Sequence, residues 1–109
     1  MSTNHGSKPD YDALLEVLVE KTKAGKLDWQ QTASEGTFIA AVKGQKTFRV
    51  TEIANGESIV LEMVDTDGQL QLDNIFESPA AKELHSLARH IALRFDENID
   101  AAVQLLDSL

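Results

Sequence analysis

The sequence predicts an α+β fold with an N-terminal helix, a four- to five-stranded antiparallel meander, and one long and one short C-terminal helix. Three observations lead to it. Apolar residues recur at intervals of three and four over residues 11–19, the period changes to two after residue 27, and the helical period returns after residue 78. At 109 residues, the chain is predicted to form a single domain over residues 9–109 after a disordered tail over residues 1–8.

The first helix is predicted from Asp10 to Ala24, with Ser7 or Asp10 as its cap. Its end lies at Gly25, where the pair Gly25-Lys26 also resembles the start of a phosphate-binding loop. Such a loop needs a glycine at position 20 and Ser or Thr at position 27, and the chain has glutamate and leucine there. We therefore interpret Gly25 as a left-handed helix stop. Its buried stripe is predicted to be Tyr11, Leu14, Leu15, Leu18 and Val19.

Residues 27–77 alternate in polarity, with turn signals at SEG, GQ, NG and DG. Asn55-Gly56 and Asp67-Gly68 each predict a tight type I′ hairpin turn. The segment around the second pair also resembles a calcium-binding loop, but its glycine comes earlier than the glycine of such a loop, so a turn is favoured. Trp29, at the start of the sheet, is predicted to be core. One sheet face is predicted to pack under the helices and contains Phe38, Ala40, Val42, Phe48, Val50, Ile59, Leu61, Met63, Leu70 and Leu72.

The other sheet face is more apolar than a solvated face requires, which predicts a contact with a second copy of the chain. Two residues of the short C-terminal helix are also predicted to be interface residues. The candidate interface residues are Ile39, Ala41, Ile53, Val60, Val64, Val103 and Leu106.

Ser78 and Pro79 predict the start of the long C-terminal helix, and Asp96 predicts a cap for the short one. His85 and His90 are five residues apart, so their rings diverge by roughly 140° and cannot chelate one ion. Both are predicted to be surface side chains. The predicted buried stripe of the long helix is Leu84, Leu87, Ala88, Ile91 and Phe95, and the short helix repeats Ile99, Ala102, Val103, Leu106 and Leu109 on one side.

Three segments of the sequence resemble a known group of proteins. They are LLEVLVEKTKAGKLDWQQT, GTFIAAVKG and LHSLARHIALRFDENIDAAVQLL. The chain is similar over nearly all of its length past residue 10 to a widespread group of small uncharacterised bacterial and phage-borne proteins with a GKLxW turn and an LxxLARxxA helix. The resemblance implies a shared fold and no activity or site residue.

The composition excludes several classes of function. A net charge of −8 disfavours nucleic-acid binding, and the absence of cysteine excludes disulfides and thiolate metal sites. The polar N-terminus and the lack of a long apolar run predict a cytoplasmic protein without a membrane contact. No cofactor or metal is predicted.

We expect a non-catalytic, acidic protein-interaction module, homodimeric and with an unidentified protein partner, with a regulatory, immunity or anti-defence role. One alternative is a protein that binds or sequesters a nucleotide-like signal in a pocket between subunits. A second alternative is an enzyme that uses paired carboxylates. The candidate anion contacts of the ligand-binding alternative are Lys43, Lys46, Arg49, Arg89 and Arg94.

Overall fold

A computed structural model describes residues 10–109 and confirms the α+β fold. The predicted tail lies outside these residues. Five strands form one antiparallel sheet in the order β1-β2-β3-β4-β5, so each strand pairs with the one before it in the chain. The elements are α1 (Tyr11–Lys23), β1 (Gln30–Gln31), β2 (Thr37–Val42), β3 (Lys46–Ile53), β4 (Ser58–Asp65), β5 (Leu70–Phe76), α2 (Pro79–Ala92) and α3 (Phe95–Asp107).

One apolar cluster joins α1, α2 and one face of the sheet. Ser78 caps α2 and Pro79 occupies its first turn, as predicted. Leu84 of α2 and Val50 and Leu61 of the sheet have no exposed surface, so the centre of the core lies between α2 and strands β3 and β4. Among residues 10–109, no helix is both long and apolar enough to cross a membrane.

Asp10 caps α1 by accepting a hydrogen bond from the amide of Ala13 at 2.9 Å, as predicted; Ser7, the other predicted cap, lies outside the described residues. At the other end, the Gly25 amide donates to the Thr22 carbonyl at 3.1 Å and the Lys26 amide donates to the Lys21 carbonyl at 2.9 Å. This pair of bonds is the Schellman motif, which needs a left-handed residue at its centre. Gly25 supplies it, with φ of +75°.

Gly25→Val should lower the free energy of unfolding by about 1 kcal/mol or more, because a β-branched residue is strained in the left-handed region. Nothing lies within 4 Å of a Cβ built at this position, so the cost would be conformational rather than steric. Urea unfolding followed by circular dichroism measures it. Gly25→Asn is the matched control, since asparagine tolerates this conformation; equal losses in both variants, or none in either, would contradict the assignment.

The chain leaves this helix stop through a buried corner. Leu27 is buried, and Trp29 is 1% exposed. The Trp29 indole Nε1 donates to Thr22 Oγ1 at 3.1 Å, and that hydroxyl donates to the Leu18 carbonyl at 2.7 Å. Both the indole N–H and the Thr22 hydroxyl therefore have a partner, so the indole is buried without an unpaired N–H. Trp29 is therefore a core residue, as predicted.

The two predicted type I′ turns have different outcomes. Asn55 and Gly56 both have positive φ, and the Glu57 amide donates to the Ala54 carbonyl, which confirms the first turn. At Asp67-Gly68 only the glycine has positive φ, so the second prediction is wrong. There the Asp65 carboxylate accepts from the amides of residues 67 and 69, each at 2.9 Å, and stabilises a three-residue loop instead.

The prediction that Leu70 belongs to the core face is also wrong. A register shift between Met63 and Val64 pairs Val64 with Leu70. A one-residue shift turns a side chain to the opposite face of the sheet, and Leu70 is accordingly 51% exposed.

The boundary between the C-terminal helices also differs from the prediction. The sequence predicts a long helix that includes Phe95, but α2 ends at Ala92 and Phe95 begins α3. Arg94 has φ of 56° and ψ of 44°, a left-handed conformation that redirects the chain. Asp96 lies in the first turn of α3 rather than at its cap.

Candidate interaction surfaces and an adjoining polar cleft

Helix α3 is amphipathic, yet none of its 13 residues is buried. Leu106 is 65% exposed and Leu105 is 68% exposed, while Val103, predicted as an interface residue, is half-exposed. Large apolar side chains that are contiguous and exposed mark interaction sites in soluble proteins. The two interface residues predicted in this helix are therefore available for contact.

The first turn of α3 is held firmly against the end of α2. His90 Nε2 lies 3.0 Å from Asp96 Oδ1, and the His90 ring packs edge-on against Phe95 with 5.3 Å between centroids. The Arg89 guanidinium lies 5.6 Å from the Phe95 centroid, a cation–π distance. The side-chain amide of Asn98 also donates, through Nδ2, to the Leu93 carbonyl at 3.1 Å. These contacts join the first turn of α3 to the end of α2.

The apolar residues of α3 follow a heptad spacing. At about 100° of rotation per residue they occupy one side of the helix, and the aspartates lie on the other. The intervals of four, three, four and three residues are those of the a and d positions of a helix that packs against another helix. Val103 and Leu105 flank this row and widen it. The row itself is Phe95, Ile99, Ala102 and Leu106, and Leu109 continues its spacing two residues after the end of α3.

The sheet face opposite the helices is a second apolar surface. Ile39, Ile53, Val60 and Val64 are half-buried on this face, and Ala41 is exposed. The cross-strand partner of Ile39 is Arg49, so the apolar residues surround a charged centre. The structure thus places five of the predicted interface residues on one face and the other two, Val103 and Leu106, on α3.

Arg49 forms a bidentate pair at the centre of this face. Its Nε donates to Glu62 Oε1 at 2.8 Å and its Nη2 donates to Glu62 Oε2 at 3.0 Å. The hydrogen bond from Arg49 holds the pKa of the Glu62 carboxyl below its usual value, and the bond to Glu62 raises the pKa of Arg49. Because two N–H groups of its guanidinium already donate to a carboxylate, Arg49 is a poor contact for an external anion.

The other predicted anion contacts are dispersed. Lys43 lies in the exposed β2–β3 turn, Lys46 donates to Gln71, and Arg94 pairs with Glu97 at 3.3 Å. Lys43 lines a cleft together with Lys21 and Lys26, whereas Arg89 lines a different cleft beside His85. The structure thus gathers none of these five cations into one group within the chain.

The prediction that His85 is a surface side chain is wrong. The residue is 4% exposed, and its ring packs 5.3 Å from that of Phe38. Its Nε2 lies 2.8 Å from the Gly36 carbonyl oxygen, and because that oxygen can only accept, Nε2 carries a proton. Gly36 is in the left-handed region with φ of +79°, and its carbonyl also accepts from the Glu52 amide at 3.2 Å.

A polar cleft opens beside this histidine. It has a volume of about 560 Å³ and is lined by Glu35, Gly36, Glu52, His85 and Arg89. His85 Nδ1 faces Glu52 Oε2 at 3.8 Å, a distance too long for a hydrogen bond. A second cleft of about 210 Å³ shares Glu35, Gly36 and Arg89. Among residues 10–109, no group of three or more His, Asp or Glu side chains could hold a metal ion.

Sequence reasoning missed the cleft, although the sequence held a signal for His85. His85 lies four residues after Ala81 and three before Ala88, both of which are buried. The other buried residues of α2 include Leu84 and Ala92. That spacing places the histidine on the buried stripe. The contact with Gly36 spans 49 residues, so it depends on the path of the chain and has no local signal.

No protein-family model, characterised protein or solved structure matches this chain. The resemblance to the group of small bacterial and phage-borne proteins therefore stays a prediction.

Proposed function

We propose that the chain is a non-catalytic interaction module that self-associates through α3. The observation that carries the proposal is a well-formed amphipathic helix whose apolar row contains no buried residue. An isolated helix of 13 residues is marginal in water, because helices shorter than about 12–15 residues rarely hold together alone. A partner that covers the apolar row would stabilise it.

The order of side chains along the row favours a second copy as that partner. Two large residues precede the small Ala102 and two large residues follow it. If two α3 helices pack antiparallel about a two-fold axis at Ala102, Phe95 faces Leu109 of the partner subunit and Ile99 faces Leu106 of the partner subunit. Small side chains at the axis allow close approach, and a two-fold contact requires such self-complementarity.

The acidic side of α3 lies outside this contact. Asp96, Asp100 and Asp107 project at about 100° to 140° from the centre of the apolar row. They would remain in solvent in the antiparallel pair and form a polar rim, as is usual at protein interfaces. Two helices of about 20 Å give a small contact, so we expect a dissociation constant in the micromolar range, on the order of 10⁻⁶ M.

The polar cleft bears on the non-catalytic part of the proposal. Glu35 and Glu52 do share a cleft, as the enzyme alternative requires. The groups beside them are the Arg89 guanidinium and an imidazole whose Nε2 is held by a backbone carbonyl. Of the residues that the structure describes, no serine, threonine, lysine or cysteine lines this cleft, so it offers no hydroxyl, amine or thiol nucleophile, and this supports a binding role.

A pair of cysteine variants tests the proposed packing, since the chain has no native cysteine. Ala102→Cys places a thiol on the two-fold axis, where it meets its own copy, and mild oxidation should convert most of the protein to a disulfide-linked dimer. Ala101→Cys, one residue away and turned by about 100°, is the control and should stay mostly monomeric. Non-reducing gels measure both; similar cross-linking of the two variants would contradict the proposal.

A further inference from the structure

Two polar side-chain atoms face each other inside the polar cleft without a hydrogen bond between them. Because Nε2 of His85 is bound to the Gly36 carbonyl, Nδ1 is the ring nitrogen that faces the cleft, and in the tautomer with a single proton on Nε2 it presents a lone pair. Its neighbour at 3.8 Å is a carboxylate oxygen of Glu52, which also only accepts. The imidazole is 95% buried and the Glu52 side chain is 45% exposed, so the gap between them opens toward solvent.

A group with several N–H donors would satisfy both acceptors at once. An ammonium has three donors, and a nitrogen about 2.8 Å from each acceptor fits between atoms 3.8 Å apart. The carboxylate of Glu52 supplies the opposite charge, and Glu35 adds a second carboxylate to the cleft. The buried polar atom thus points to a cationic amine.

Arg89 supplies a positive charge that can bind a carboxylate of a ligand. It lies one helical turn after His85, is exposed, and lines both clefts. No carboxylate of residues 10–109 forms a salt bridge with it, and its guanidinium lies over the Phe95 ring. Stacking on an aromatic ring holds a guanidinium in place while its edge remains able to bind a carboxylate through two parallel hydrogen bonds.

We infer that this cleft binds a small zwitterion, a free α-amino acid, with the ammonium between His85 and Glu52 and the carboxylate on Arg89. The second cleft, lined in part by Thr32, Phe38 and Leu93, would hold a neutral side chain of moderate size. This inference goes beyond self-association. The residues that line the cleft lie outside the row of α3, and their one link to it is the contact of Arg89 with the Phe95 ring.

The charges of the cleft disfavour the other ligand classes. A nucleotide-like anion would meet two carboxylates against one guanidinium, and a simple cation would meet Arg89. A zwitterion places its ammonium against the carboxylates of the cleft and its carboxylate against Arg89. For this cleft, the class of ligand is therefore an amino acid rather than a phosphate-bearing signal.

A titration of the ¹⁵N-labelled protein by NMR tests the inference. The twenty standard L-amino acids, each at about 10 mM, are the probes, because a site of this size should bind in the millimolar range or tighter. At least one with a neutral side chain should shift the Gly36 amide and the Arg89 Nε–H signals in a saturable way. Sodium acetate and methylamine, which each carry one of the two charges, should bind at least about tenfold more weakly.

Variants identify the groups responsible. Arg89→Gln and Glu52→Gln should each weaken binding by about tenfold or more, because each removes a charged hydrogen-bond partner. Lys82→Gln, on the exposed side of the same helix, is the matched control and should bind like the parent. The inference is overturned if no amino acid produces a saturable shift, if acetate alone binds as well, or if both variants retain full affinity. Unchanged circular dichroism spectra show that the variants are folded.

Discussion

Trp29→Ala should lower the free energy of unfolding by about 3–5 kcal/mol, the range for removing a large aromatic side chain from a core. The residue is 1% exposed and is the largest of the fully buried side chains. Its loss would leave a cavity between α1 and the start of the sheet. It would also remove the Nε1 donor to Thr22, whose hydroxyl links the indole to the Leu18 carbonyl. Native proteins have free energies of unfolding of about 5–15 kcal/mol, so the expected loss is a large fraction of the total.

Urea denaturation followed by far-ultraviolet circular dichroism measures the effect of Trp29→Ala. Trp29→Phe should lose less, because it keeps part of the ring volume while giving up the hydrogen bond. Gln30→Ala is the control at the adjacent exposed position and should change the free energy of unfolding by about 0.5 kcal/mol or less. A Trp29→Ala loss under about 1 kcal/mol would show that the corner contributes little to the core.

Leu106→Asp should raise the dissociation constant of the dimer by about 100-fold or more. In the antiparallel pair each Leu106 faces Ile99 of the partner subunit, so the substitution removes two apolar contacts per dimer and buries two carboxylates. Leu106 is 65% exposed in the single chain. The stability of the core should therefore change little, which separates an interface effect from a folding defect.

Gln104→Asp is the matched control for Leu106→Asp. It introduces the same kind of side chain two residues away, at about 160° from Leu106 around the helix, where it faces solvent in the proposed pair. A similar weakening by both variants would indicate a general effect of negative charge on an acidic chain rather than the loss of a specific contact.

Local sequence signals predicted the parts of the fold that local chemistry determines. Gly25 ends α1 because a left-handed residue is needed after the last turn, and Ser78 begins α2 because its hydroxyl accepts from the Ala81 amide at 3.3 Å. The alternation of apolar residues predicted the strands and the sheet face that packs under the helices. These features depend on residues close together in the chain, so their pattern is visible without the structure.

The predictions that failed concern longer-range or conformational choices. Leu70 changed face because of a register shift in the β4–β5 pair, and a shift of one residue leaves the alternating pattern of each strand intact. Arg94 adopts a left-handed conformation that arginine seldom takes, so nothing in its identity marks the break between α2 and α3. His85 is buried by a bond to Gly36, which lies on a distant turn.

The candidate sites were predicted to different degrees. Val103 and Leu106 were predicted to be interface residues because they repeat on one side of a short helix, and they do lie exposed there. The cleft was not predicted, because Glu35, Glu52, His85 and Arg89 come from three separate segments of the chain. Their charges are ordinary surface charges in the sequence and gain meaning only when the fold brings them together.

Sedimentation equilibrium of the parent chain and of Leu106→Asp, from about 1 μM to 500 μM, tests the central claim that α3 joins two copies. The parent should approach the mass of two 12.0 kDa chains as its concentration rises, and Leu106→Asp should keep the mass of one chain over most of the range. A parent chain that stays at the monomer mass up to 500 μM, or a variant that dimerises as the parent does, would contradict it.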